Sequence, residues 1–241
     1  MGKIPKIIHQ IWSGIYEPLP EWFKELGETW KEHYPDWEYM FWDNDKMNAF
    51  VQEHYPQYWD IYSRFPYNVQ RWDAIRYLVL NKIGGMYADF DYESIRNMEE
   101  LIKDKSCCFA VEPEQHFALF GRKKEEPIFN NALMLCVPEH PFMKKIIKTV
   151  FTEKMLEYKG AKGACVVNTT GPAILNRLYY DELTKQEQEK VYLIPPNYVS
   201  PFSVQQSRRV RSGEISEELE NCLEEAYAVH YFFNEWVETS D

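Results

Sequence analysis

The segment between Tyr67 and Asp91 most constrains what this chain can fold into. Ile75, Leu78, Val79 and Lys82 recur at helical spacing, and Gly84-Gly85 stops the helix with residues that tolerate positive φ. Met86 to Phe90 then reads as an apolar strand, with Asp89 and Asp91 at its carboxyl end. Alternate residues of a strand face the same side, so the two carboxylates converge while Phe90 points into the protein. Two hard oxygen ligands at a strand end suit Mg²⁺ or Mn²⁺, which bind one or two carboxylates together with substrate phosphates. A bare D-x-D pattern says little, and Asp43-Asn44-Asp45 shows how cheaply an acidic chain produces it. The position after a strand gives it meaning, because ligands of open α/β sheets gather beyond the strands' carboxyl ends.

The remaining sequence alternates strand-like and helix-like pieces, the pattern of an α/β domain. Ile7 to Trp12 reads as a strand, Trp22, Leu26 and Trp30 as a helix stripe weakened by Gly27, and Trp37, Tyr39 and Phe41 as a second strand parallel to the first. Further strands are expected at Cys107 to Val111, Ala132 to Val137, Val191 to Ile194 and Tyr227 to Phe232. Helices are expected at Phe142 to Leu156 and Pro172 to Leu183, and Thr184 with Glu187 has capping-box spacing. The 241 residues contain no repeat or linker, so residues 1–241 are expected to form a single domain.

With 27 basic and 38 acidic residues the net charge is −11, which argues against nucleic acid as the main partner. No run of 18 apolar residues occurs and the N-terminus lacks a signal-peptide core, so a cytoplasmic chain is expected. Peripheral association with the inner face of the membrane stays open, although no basic amphipathic helix speaks for it. The cysteines, 107, 108, 136, 165 and 222, lack metal-ligand spacing and read as inert core thiols.

The run from Asp73 to Asp91, D-A-I-R-Y-L-V-L-N-K-I-G-G-M-Y-A-D-F-D, resembles the signature of glycosyltransferase family 32. That family includes the yeast initiating α-1,6-mannosyltransferase and bacterial capsular polysaccharide transferases, and the clostridial glucosylating toxins carry a similar stretch. Ile4 to Gly14 resembles its opening strand, Thr170-Gly171-Pro172 its T-G-P turn, and His230 with Trp236 its closing segment. The resemblance implies a GT-A-like fold: an α/β, Rossmann-type nucleotide-binding sandwich with a mixed, mainly parallel central sheet and additional helices. It implies retaining, metal-dependent transfer of a hexose from a nucleotide-sugar (UDP-hexose ahead of GDP-mannose) to a glycan or lipid-linked saccharide acceptor, in surface or capsular polysaccharide synthesis.

By the same resemblance Asp73, Arg76, Asp89 and Asp91 carry catalysis. Asp73 and Arg76, three apart on a helix, share a face in any case. Contacts to the nucleotide-sugar are implied for Trp12, Tyr77, Asn131 and Trp236 beside Asp73, Arg76 and Asp89. The Mn²⁺ or Mg²⁺ ion would fall to Asp89, Asp91 and His230. The usual Gly-Ser before the closing Trp is Asn234-Glu235 here, so either His230 or Asn234 completes the metal site. Glu112 is placed to face the acceptor, and Asn130 and Asn131 to lie near the donor sugar. Front-face transfer is favoured over a covalent intermediate. Two rival readings are a non-catalytic carbohydrate-binding protein and a metal-dependent phosphoesterase or nucleotidyltransferase. The second lacks the phosphate-cradling G-x-x-x-x-G-K or G-x-G-x-x-G loop.

Overall fold

A computed structural model describes residues 2–117 and 126–233. The strands are β1 (Ile7–Ile11), β2 (Glu38–Trp42), β3 (Gly85–Ala88), β4 (Tyr92–Ser94), β5 (Cys107–Val111), β6 (Phe129–Cys136), β7 (Tyr192–Ile194) and β8 (Ala228–His230). Between β1 and β3 lie α1 (Glu21–His33), α2 (Asn44–His54), α3 (Trp59–Ser63) and α4 (Asn68–Lys82). Two single turns, α5 (Glu99–Ile102) and α6 (Glu114–Phe117), flank β5. After β6 come α7 (Pro141–Val150), α8 (Glu153–Leu156), α9 (Lys162–Thr169), α10 (Pro172–Glu182) and α11 (Lys185–Gln188). The chain then adds α12 (Pro196–Val199), α13 (Val204–Arg211) and α14 (Glu217–Asn221).

Six strands form one sheet in the order β2-β1-β3-β6-β5-β7. β1 runs parallel to β2 and β3, β5 runs parallel to β7, and β6 is antiparallel to both its neighbours. This is the mixed, mainly parallel α/β sheet expected from the sequence. β5 and β6 are buried along their whole length, which is why they read as continuous apolar runs. Their alternate residues feed two cores. Phe109, Met134 and Cys136 pack with Ile75 and Leu78 of α4 and Phe142 and Ile146 of α7. Cys108, Ala110, Leu133 and Leu135 pack on the other face with Trp30 of α1, Tyr92 of β4 and Ala228 of β8.

Several expectations change in three dimensions. α4 is buried nearly all round, polar Gln70, Asp73 and Asn81 included, because it lies between the sheet and α2, α3, α7 and α9; the Ile75–Leu78–Val79 stripe is only one of its faces. On α1 the buried stripe is Phe23, Gly27 and Trp30 rather than Trp22, Leu26 and Trp30. Gly27 is there for close approach: a Cβ would come within 3.0 Å of Phe90 Cε1 and 3.1 Å of Gln10 Oε1. The single helix expected over 142–156 breaks at Phe151 and Thr152 into α7 and α8. The expected last strand, β8, leaves the main sheet and pairs antiparallel with β4, a short strand that three residues of sequence do not announce. The Thr184–Glu187 capping box forms as expected.

His9 ties β1 to the Gly84-Gly85 turn. Its Nδ1 accepts from the Trp42 indole at 3.2 Å and its Nε2 lies 2.9 Å from the Gly84 carbonyl. Burial pushes its pKa down to about 4, so it donates there as a neutral ring. Cys107 and Cys136 face each other across β5 and β6, and their ligand atoms lie within 4.8 Å of each other and of His140. Spacing along the chain could not reveal that cluster. Cys107, Cys108, Cys136 and Cys165 are buried as expected, and burial pushes the Cys107 and Cys108 thiols up; Cys222 is only half-buried.

Candidate active site

Gly84 and Gly85 take φ +75° and +103°, and a Cβ on Gly85 would sit 2.5 Å from the Ile7 carbonyl oxygen. This tight turn brings the end of β3 back beside the middle of α4, so that Asp89 meets Arg76. One guanidinium nitrogen lies 3.1 Å from Asp89 Oδ1 and another 3.5 Å from Asp73 Oδ1. Arg76 also donates to the Asn131 carbonyl at 3.1 Å and lies over the Tyr87 ring, 4.8 Å from its centroid. Asp73 accepts from the Asn131 amide at 2.8 Å and from the Thr170 hydroxyl at 3.0 Å. The Tyr87 hydroxyl donates to Asp89. Burial raises the pKa of Asp73 despite Arg76, and it pushes Asp89 up to about 6, with Arg76 opposing and Asp91 adding to the rise. One buried cation thus serves two carboxylates.

Past Asp89 the chain turns Phe90 inward among Trp12, Phe23 and Phe41, with ring centroids 6.0–6.5 Å away. Asp91 then emerges at the start of β4. The β4–β8 pairing sets Tyr92 opposite His230, and His230 Nε2 lies 3.3 Å from Asp91 Oδ1. Phe232, at φ 49°, takes the left-handed conformation uncommon outside glycine, and the next residue, Phe233, donates its amide to Asp91 Oδ2 at 3.1 Å. The imidazole is held between Tyr92 and Phe232, with ring centroids at 4.3 and 3.9 Å. Burial would raise Asp91, but His230 and the Phe233 amide outweigh it and hold the carboxyl below its ordinary value. Burial would likewise lower His230, and the charge of Asp91 outweighs it.

Both carboxylates, Asp73, Arg76, Asn131 and His230 line one cavity of about 410 Å³. It lies where β1, β3 and β5 end and β6 begins, the position at which open α/β sheets bind ligands. Residues 20–108 match the family described as glycosyltransferase sugar-binding region containing DXD motif. The mannosyl phosphorylinositol ceramide synthase SUR1 of Saccharomyces cerevisiae is 30% identical over 194 residues, 80% of this chain and 44% of that protein. Inositol phosphoceramide mannosyltransferase 1 of Schizosaccharomyces pombe is 30% identical over 151 residues, 61% of this chain and 43% of that protein. Among solved structures, the ligand-free glycosyltransferase domain of the YGT toxin superposes with a TM-score of 0.54 at 10% identity, covering 92% of this chain and 88% of that one. The chain belongs to the DXD glycosyltransferase family. Its fold is GT-A, and it spans less than half the length of these two yeast relatives.

Within this family's frame the D-x-D pair is Asp89 and Asp91, and the two aspartates sit in different surroundings. The side chain of Asp89 keeps 26% of its surface open to the cavity. Asp91 and His230 lie 3.3 Å apart, close to the ~3 Å expected for two neighbouring ligands of an ion with bonds of ~2.1 Å. A carboxylate–imidazole donor set with a second carboxylate nearby therefore fits a small divalent cation. Trp12 lines the cavity, and its indole N–H donates to the Glu17 carbonyl at 3.0 Å. Tyr77 is a correction. It is fully buried behind the cavity, where its hydroxyl donates to the Thr170 carbonyl at 2.6 Å and steadies the threonine that holds Asp73. Trp236 and Asn234 lie outside the described residues.

Thr170 and the Phe233 amide were not foreseen as parts of the site. The T-G-P turn marked the first only through resemblance, and no side-chain pattern marks a backbone amide. His116 was also missed, although Glu112-x-x-x-His116 has the spacing of one helical face.

Proposed function

We propose that this domain transfers a hexosyl group, with retention, from a nucleoside diphosphate sugar to a hydroxyl of a glycan or lipid-linked acceptor. The observation that carries the reading is the meeting, in one cavity, of the Asp91–His230 pair with the Arg76-braced Asp73 and Asp89. Asp89, Asp91 and His230 would hold a divalent cation, which as a Lewis acid neutralises charge on the departing diphosphate. Arg76 and Asn131 supply fixed donors and Asp73 a fixed acceptor for the sugar hydroxyls, so little reorganisation is needed on reaction. Asp73 is itself tied by Asn131, Thr170 and Arg76, which speaks against a covalent glycosyl-aspartate there. Departure and attack on one face of the sugar, with the acceptor proton passing to a diphosphate oxygen, accord with that arrangement.

The names of the yeast relatives speak for a mannosyl donor and a phosphoinositol lipid acceptor, and the toxin-like stretch for a UDP-hexose. The surface-polysaccharide setting shares the same chemistry, a hydroxyl-bearing ring on a lipid carrier met at the cytoplasmic face of a membrane. Among the described residues no helix is long and apolar enough to cross that membrane.

Melting curves with UDP or GDP, each with and without Mn²⁺, test the reading, followed by hydrolysis assays with UDP-glucose, UDP-galactose and GDP-mannose. One nucleotide is expected to raise the melting temperature only when metal is present, and its sugar conjugate to be cleaved. No shift with either nucleotide and no hydrolysis of any donor would overturn it. Binding of free glycan without metal or nucleotide would favour the carbohydrate-binding reading instead.

A further inference from the structure

Across the cavity from Arg76 stands a second buried carboxylate system that the donor side does not use. Glu112 follows β5 and lines the cavity with His116 and Asn130. Its Oε2 lies 2.7 Å from His116 Nδ1, and its Oε1 accepts from the Asn130 amide at 2.6 Å. The Val204 backbone N–H donates to His116 Nε2 at 3.2 Å. That bond leaves the ring proton on Nδ1, where it is donated to Glu112. Glu112, His116 and Asn130 are all buried, at 9%, 7% and 4% exposure. Asn130 and Asn131 are consecutive on β6 and leave the strand on opposite faces, one to Glu112 and one to Asp73. The same strand end thus fixes one carboxylate on each side of the cavity.

Resting on the transferase reading, we infer that Glu112, held by His116 and Asn130, is the acceptor-binding carboxylate, taking a hydrogen bond from a hydroxyl of a polyhydroxylated ring. Each carboxylate oxygen uses one lone pair on its protein donor and keeps another for such a hydroxyl. The wall is continuous with the metal-binding side: Phe232 packs against both His116 and His230, with ring centroids at 5.1 and 3.9 Å. A ring held by Glu112 therefore lies beside the centre at which the sugar is transferred. Glu112 positions a hydroxyl neighbouring the attacking one; the attacking hydroxyl's proton goes to the diphosphate, and Glu112 changes no bond.

The test uses E112Q and E112D in the whole chain, with methyl α-D-mannopyranoside and myo-inositol as acceptor probes. Saturation-transfer NMR in the presence of Mg²⁺ reads probe binding without any turnover. Kinetics with the cleaved donor read the partition between transfer to the probe and hydrolysis by water. The wild-type protein is expected to bind at least one probe, and E112Q to bind it about tenfold or more weakly, with the transfer-to-hydrolysis ratio falling by a similar factor. A purely structural Glu112 would lower transfer and hydrolysis together and leave that ratio unchanged, which would overturn the inference. So would a wild-type protein that binds neither probe. Where E112Q fails to fold, E112D carries the same comparison. Absence of donor hydrolysis by the wild-type protein would remove the transferase reading, while the NMR arm still decides whether Glu112 binds polyol.

Discussion

The two aspartates of the D-x-D pair belong to different structural regions. Asp89 directly follows β3 of the six-stranded sheet and Asp91 directly precedes β4 of the two-stranded one, with a turn between them. On the Asp89 side much of the charge is offset locally: Arg76 reaches both carboxylates, and Tyr87, Asn131 and Thr170 add neutral donors. On the Asp91 side the partners are an imidazole and one backbone amide, and His230 Nδ1 has no partner among the described residues. On the proposed function the first region holds neutral hydroxyls in a fixed geometry, and a cation would complete the second. Loss of a group on the Asp91 side should therefore remove turnover, whereas loss on the Asp89 side should also unsettle the fold.

The largest expected effect is on the Asp91 side. D91N keeps the shape of the side chain and removes its charge, so metal-dependent donor cleavage should fall by about a thousandfold or more, several kcal/mol of transition-state stabilisation. Steady-state hydrolysis with Mn²⁺ measures it, beside a melting curve to confirm folding. A D91N protein that turns over at near wild-type rate would break the assignment of the metal to this side.

On the Asp89 side the matching change is R76A. It leaves Asp73 and Asp89 buried without their shared cation, and removing one partner of a buried ion pair costs about 3–5 kcal/mol. Urea unfolding should show that loss in the metal-free protein. If R76A were as stable as the wild type, the carboxylates would already be neutral or hydrated, and the contrast between the two sides would collapse.

The same contrast explains what could be read from the sequence. Asp73, Arg76, Asp89 and Asp91 lie on one continuous helix–turn–strand unit, where helical spacing and a glycine stop fix most of their placement; the strand expected to run to Phe90 ends at Ala88, and a turn rather than strand alternation carries Asp89 to Asp91. The groups that complete the site arrive from distant parts of the chain. Asn131 comes by antiparallel pairing of β6 with β3, Thr170 from the end of α9, and His230 by pairing of β8 with β4. Local pattern cannot report such pairings; only resemblance pointed to these residues. α9 itself escaped notice because Gly163, Val166, Val167, Asn168 and Thr169 are poor helix formers that the packing around Gln70 and Asp73 overrides. Tyr77 was misplaced for a related reason. One helical turn separates it from Asp73, yet its hydroxyl turns back to the Thr170 carbonyl rather than into the cavity.

The smallest expected effect concerns protons, and its sign separates the two aspartates again. Asp89 is raised to about 6, so the folded state holds its proton more tightly than the unfolded chain does. Its contribution to stability is fully present below the ordinary carboxylate range near ~4 and is lost as pH rises through about 6. His230, raised above its ordinary value, acts in the same direction at higher pH. Asp91 is depressed and acts oppositely, its contribution being lost only as pH falls below the ordinary carboxylate range. D89N removes the first of these alone. In EDTA, the melting temperature of the wild type relative to D89N should therefore rise as pH falls from ~7.5 to ~5, by roughly 2–4 °C for each kcal/mol involved. With Mn²⁺ present the trend should reverse, because the metal binds ionised carboxylates and its stabilisation grows with pH. A wild-type-to-D89N difference that stays flat in both conditions would mean that Asp89 is ionised throughout, leaving the two halves of the D-x-D pair electrostatically alike.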